Sequence, residues 1–323
     1  MRKLSHSEAI VEAIRECMDE DQNIALVWGS LMGLGSDNKH VKHIKTDFGD
    51  RIFHPPISEA GIAALATGAA MDGIRTIFPI GTASFMFRAW DQIIHEAAAA
   101  HYMSNGAVKV PVVFHVLHGL RGGGSVQHSQ SPQSMLWNSP GIEIAMPSCP
   151  ADAKGLMRTA IKSNNPTVFI DHQKLNKRRG SVPNSPYTIP FGVADIKRQG
   201  THVTVVAASL QVVHAMEAAE KLENQGIEIE VIDLRSLVPL DEESILSSVG
   251  KTGRLVVIDE GPPRCSIASE IIAIVAEKGI SYLKEPPVRV NRLPVHVPAN
   301  VTMENYIAPN TDRILKAVRA LNI

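Results

Sequence analysis

The sequence is short of cysteine, carries no excess charge of either sign and has no long apolar run. Its three cysteines, Cys17, Cys149 and Cys265, lie far apart in 323 residues. They form no Cys-x-x-Cys pair and no even framework, which excludes a disulfide scaffold and predicts reduced thiols in a cytoplasmic compartment. Lys and Arg total 32 against 33 Asp and Glu, for a net charge of −1. That balance argues against a nucleic-acid binder, which carries a basic excess. The densest basic cluster, Lys177-Arg178-Arg179, sits among Gly, Ser and Pro and reads as a solvated loop. No apolar run approaches the ~18 residues a membrane helix needs. Polar Ser5, His6, Ser7 and Glu8 follow the first residues at once, so no signal peptide is expected. With 44% hydrophobic and 20% charged residues, disorder is excluded.

What is present is enough chain for about two domains of about 150 residues. Two kinds of segment alternate. Apolar or β-branched runs read as buried strands: 23–28, 74–80, 110–117, 142–146, 166–170, 203–207, 227–232, 254–258 and 288–292. Stretches with helical spacing lie between them: 5–18, 58–71, 90–103, 150–163, 210–224, 267–278 and 312–321. Alternation of this kind predicts an α/β fold with mainly parallel sheets. Strands apolar along their whole length predict helices on both faces. A stretch at 172–202, rich in Pro and basic residues and with little periodicity, reads as a boundary. The expected domains are 1–185 and 201–323, with a linker at 186–200.

Several motifs fail. Gly119 to Ser125 is glycine-rich after a strand, but Ser125 stands where a Walker A loop needs Lys. No Gly-x-Gly-x-x-Gly follows the first strand. His95-Glu96 begins like a zinc-protease helix, yet Ala99 occupies the second His position. His115 and His118, three apart on a strand, are expected on opposite faces. Two pieces remain: Ile57-Ser58-Glu59-Ala60-Gly61, opening an Ala/Gly-rich helix, and Gln127-His128-Ser129-Gln130, closing the glycine loop. Taken singly, Glu59 is a first-turn carboxylate that Ser58 precedes as cap, and His128 is a loop histidine.

Together and in order, these pieces resemble one family: the beta subunit of the thiamine-diphosphate-dependent 2-oxo acid dehydrogenase component, as in pyruvate, branched-chain and acetoin dehydrogenases. Asp91-Gln92-Ile93, Tyr102-Met103-Ser104, Pro150 to Leu156, Asn164-Asn165-Pro166, Val231 to Arg235 and Pro287 to Val290 extend the resemblance over nearly the whole chain. It implies a transketolase-like pyrimidine-binding domain followed by a transketolase C-terminal-like assembly domain. It also implies that Glu59 faces the aminopyrimidine ring nitrogen of the cofactor. There a carboxylic acid stabilises the imino tautomer, and an apolar site keeps that acid protonated. Ile57, Gly81 and Phe85 would line the pyrimidine pocket, and His128 would face substrate or acyl acceptor.

The family's diphosphate and Mg²⁺ motif, Gly-Asp-Gly, is missing; Gly49-Asp50-Arg51 is the nearest fragment. The resemblance therefore implies an alpha subunit that holds the diphosphate and Mg²⁺, a second beta subunit in a heterotetramer, and a lipoyl acyltransferase core as acyl acceptor. Relatives also carry a structural K⁺ on backbone carbonyls and one Asp; the matching positions are Val112, Ala160, Ile161, Ser163 and Asn165, with Ser163 in place of the Asp. Pro79 stands where relatives have Glu, and His115 where many have Arg. These departures leave open a split transketolase-like carboligase that moves a two-carbon unit to another acceptor. A non-catalytic scaffold is the remaining class, and Glu59 and His128 argue against it.

Overall fold

The apolar runs become two parallel sheets in a computed structural model that describes residues 1–27 and 39–323. Trp28, the end of the first expected strand, and the Gly29-Ser30 loop after it lie outside the described residues. The described chain forms two units: Met1–His118 with Met135–Phe191, and Gly119–Ser134 with Gly192–Ile323.

In the first unit the strand order is Glu143–Ala145, Thr167–His172, Val112–His118, Arg75–Thr82, Ile24–Val27, Ile52–Phe53, and every pairing is parallel. Helices His6–Glu20 and Pro150–Lys162 cover one face. Ile10, Ile14 and Met18 of the first and Leu156, Met157 and Ile161 of the second pack on Leu26, Ile77, Val113 and Phe169 of the sheet. Ser5 and Glu8 close a capping box at the start of His6–Glu20, which fixes where the chain turns from strand to helix. His115 and His118 do fall on opposite faces. His115 lies by Phe169, with ring centroids 5.9 Å apart, and His118 by His172, at 4.9 Å.

The second unit has the order Val288–Asn291, Leu255–Asp259, Val203–Ala207, Ile229–Asp233, Asp195–Arg198. The first four strands are parallel and the last is antiparallel. Helices Leu210–Glu223 and Thr311–Arg319 bury Val212, Ala215, Leu222, Ile314 and Val318 against it. No helix among the described residues is long and apolar enough to cross a membrane.

Three expectations change. The stretch read as a linker is structured: Arg179–Val182 pairs with Arg2–Ser5, and Asp195–Arg198 adds an edge to the second sheet. Both are polar edge strands, so they lack the apolar signal that marks central ones. The first unit runs on to Phe191 because Tyr187 donates to the Ala151 carbonyl at 2.7 Å and Thr159 to that of Ile189 at 2.6 Å. The expected helix at 90–103 is a π-helix, Asp91–Ala97, running into an α-helix, Ala98–Met103.

Candidate functional site

Ser58 caps the helix Glu59–Met71 by accepting from the Gly61 N–H, and Glu59 is its first residue. A carboxylate there faces the positive end of the helix dipole. The Glu59 side chain is 14% exposed, and the guanidinium of exposed Arg88 stands 3.7 Å from it. The helix packs on the strand Arg75–Thr82 and on the 3₁₀ segment Ala83–Ala89 that follows, and Thr76 ties strand to helix by donating to the Ala66 carbonyl at 3.0 Å. That strand loses register between Pro79 and Gly81. Gly81 has φ +83, and nothing lies within 4 Å of where a Cβ would stand. The strand end therefore opens a space beside the backbone that only glycine leaves clear. Phe85 sits half-buried in the 3₁₀ segment. Ile57 is 77% exposed.

Ile57, Glu59, Gly81 and Phe85 all lie in the first unit, on or beside elements that pack against one another. Leu65, Met71, Tyr102 and Met103 of the same unit are also exposed. Among the described residues no group of three or more His, Cys, Asp or Glu is placed to hold a metal ion.

His128 belongs to the second unit, at the end of the short helix Ser125–His128, and is exposed. Its loop is held by carboxylates that sequence reasoning missed. Leu120 N–H donates to Glu260 at 2.5 Å, and Gly122 and Gly123 N–H donate to the two oxygens of Glu304 at 2.7 and 2.8 Å. Gly122 and Gly123 both have positive φ, which lets successive N–H groups converge on one carboxylate. Gln133 donates to Asp259 at 2.8 Å and Gln211 to Glu260 at 3.0 Å. Burial, with neighbouring Glu260, pushes the Asp259 carboxyl up against the hydrogen bonds from Gly261, Gln133 and Ile267. A signal existed: Asp259-Glu260 directly follows the apolar run of a parallel strand, where α/β sheets gather their polar groups.

Of the positions matched to a cation, the carbonyls of Ile161 and Ser163 accept from the Arg75 guanidinium at 3.2 and 2.7 Å. The Asn165 amide donates to Glu143 at 3.0 Å.

Two family models match the chain: transketolase, pyrimidine binding domain, over residues 2–178, and transketolase, C-terminal domain, over residues 192–314. The beta subunit of the acetoin:2,6-dichlorophenolindophenol oxidoreductase of Bacillus subtilis (strain 168) is 38% identical, over 99% of this chain and 97% of that protein. The 2-oxoisovalerate dehydrogenase subunit beta of the same organism is 36% identical, over 99% of each. Among solved structures, a split-gene transketolase described as an inactive beta4 tetramer superposes with a TM-score of 0.79. It is 21% identical and covers 98% of this chain and 97% of its own.

Proposed function

The chain belongs to the transketolase-like family of beta subunits found in acetoin and 2-oxo acid dehydrogenases, and from that membership we propose that it forms the pyrimidine side of a thiamine-diphosphate enzyme. The proposed reaction is decarboxylation of a 2-oxo acid and transfer of the acyl group to a lipoyl carrier. The observation that carries this reading is Glu59, a mostly buried carboxyl at a helix start, on a helix packed beside the Gly81 gap.

Bound thiamine diphosphate supplies the carbon nucleophile; the rest is the protein's work. Glu59 would hold a proton for the ring nitrogen of the aminopyrimidine. Phe85 would pack against that ring, and Ile57 and Gly81 would shape the apolar wall. His128 donates a proton to, or stabilises charge on, the substrate or acyl acceptor. The chain has no Gly-Asp-Gly, so the diphosphate and Mg²⁺ fall to an alpha chain. Exposed Ile57, Leu65, Tyr102 and Met103 are apolar surface of the first unit that a partner chain would cover. A second beta chain and an acyltransferase core complete the proposed assembly. The carboligase alternative has a likeness of fold behind it, whereas the relatives that are 36 to 38% identical are dehydrogenase and oxidoreductase subunits.

The test is co-expression with an alpha chain that carries Gly-Asp-Gly, followed by assay of 2-oxo-acid-dependent reduction of lipoamide and of 2,6-dichlorophenolindophenol. Glu59→Gln should lower kcat about 10²- to 10⁴-fold, the range of a lost acid–base group, while the subunits still co-elute. Unchanged turnover would remove Glu59 from the chemistry. Carboligation without lipoyl reduction would replace the proposed reaction.

A further inference from the structure

The carbonyls at the C-terminal end of the helix Pro150–Lys162 have no intrahelical donors, and the helix dipole makes them negative. Such an end attracts a cation, and the resemblance to relatives suggests K⁺. The donor set does not fit one. Ser163 removes the carboxylate that would balance the ion's charge. Its hydroxyl oxygen is already engaged by the Asn165 N–H at 3.1 Å, and the Asn164 carbonyl by the Val110 N–H at 3.1 Å.

A positive group is built in instead. Arg75 begins the strand Arg75–Thr82. Its Nη1 donates to the Ile161 and Ser163 carbonyls at 3.2 and 2.7 Å, and its Nη2 to the Asn164 side-chain oxygen at 2.9 Å. Asp21 faces Nε at 3.7 Å and balances the guanidinium from its other edge. A dehydrated cation on the same carbonyls would sit within a few ångströms of this group, where two like charges repel strongly. A guanidinium also matches the site by shape, since its fixed fork reaches several acceptors at once.

We infer that the Arg75 guanidinium occupies the place of the monovalent cation, so that this chain folds and assembles without K⁺. The inference is independent of the reaction and of the cofactor. It is tested on the full chain by thermal unfolding in KCl, NaCl and tetramethylammonium chloride at one ionic strength. The wild-type midpoint should agree in the three salts within about 1 °C. A saturable rise with K⁺ on the order of 5 °C, the size expected of a specific ligand well above its Kd, overturns the inference. Arg75→Met combined with Ser163→Asp empties the carbonyls and restores the carboxylate. That double variant should gain a saturable K⁺-dependent rise. A folded double variant indifferent to K⁺ would show that Arg75 was not holding the ion's place, and would overturn the inference from the other side. Should the double variant not fold, the wild-type comparison still decides.

Discussion

Asp171 is a buried carboxylate of the first unit with partners on both oxygens. It is fully buried, with His6 Nε2 2.8 Å from one oxygen and His115 Nε2 3.7 Å from the other. The His172 N–H donates to it at 2.7 Å. Burial alone would raise its pKa, but His6 and His115 overcome burial and hold it far below the ordinary carboxylate value. A depressed folded pKa stabilises the protein above the unfolded value, near pH 4, and that contribution is lost as pH falls below it. Asp171→Asn should therefore cost about 3 kcal/mol at pH 7, since it leaves the histidines without their anion. Its deficit in urea unfolding should shrink below pH 4; a deficit unchanged down to pH 3 would refute the assignment. Residues of this kind set the limit of sequence reading. Glu59 and His128 stand out as candidates because short motifs surround them. Asp171 and Arg75 do not, because their partners lie up to 165 and 89 positions away.

Two helices of the first unit are joined by a ladder of charge. Lys154, with no exposed side-chain surface, reaches Glu12 and Glu16 at 2.8 and 2.7 Å. Arg158 reaches Glu16 and Glu20 at 3.0 and 2.6 Å, and Lys162 reaches Glu20 at 2.8 Å. The acids recur every four residues on His6–Glu20 and the bases every four on Pro150–Lys162, so each series forms a row on its helix. Lys154→Met should cost about 3 kcal/mol, because it strands carboxylates beside an apolar side chain. Changing Glu12 and Glu16 to Gln as well should recover much of that loss, measured as a return of the urea midpoint. The four-residue spacing was present in the sequence, but which helix it faced was not. Central strands such as Val203–Ala207 were legible from continuous apolar runs. The edge strands Arg179–Val182 and Asp195–Arg198 were hidden because an edge need not be apolar. The π-helix Asp91–Ala97 carries the same apolar spacing an α-helix would.

At the scale of the whole molecule, the division into two units departs from chain order. The segment Gly119–Ser134 belongs to the second unit although Met135–Phe191 returns to the first. Its anchors are Asp259, Glu260 and Glu304, each buried. A fragment spanning 192–323 alone would leave Glu304 without the Gly122 and Gly123 donors, and Glu260 without that of Leu120, and losing hydrogen bonds to buried carboxylates is costly. The fragment should unfold non-cooperatively or at a markedly lower temperature by calorimetry, and supplying residues 119–134 as a fused segment should restore a single sharp transition. A fragment as stable as the full chain would show that the loop adds nothing to the second unit.

The Gly122–Glu304 bond spans 182 positions, which also gives it a place in time. At 5–20 residues per second of synthesis, roughly 10 to 40 s separate the two residues' emergence from the ribosome. The loop bearing His128 thus waits, without its carboxylate, while the first unit's remaining strands are made. The loop is tied down only when the helix Val301–Ile307 arrives, so a chain cut short before that helix would lack the carboxylate that holds Gly122 and Gly123.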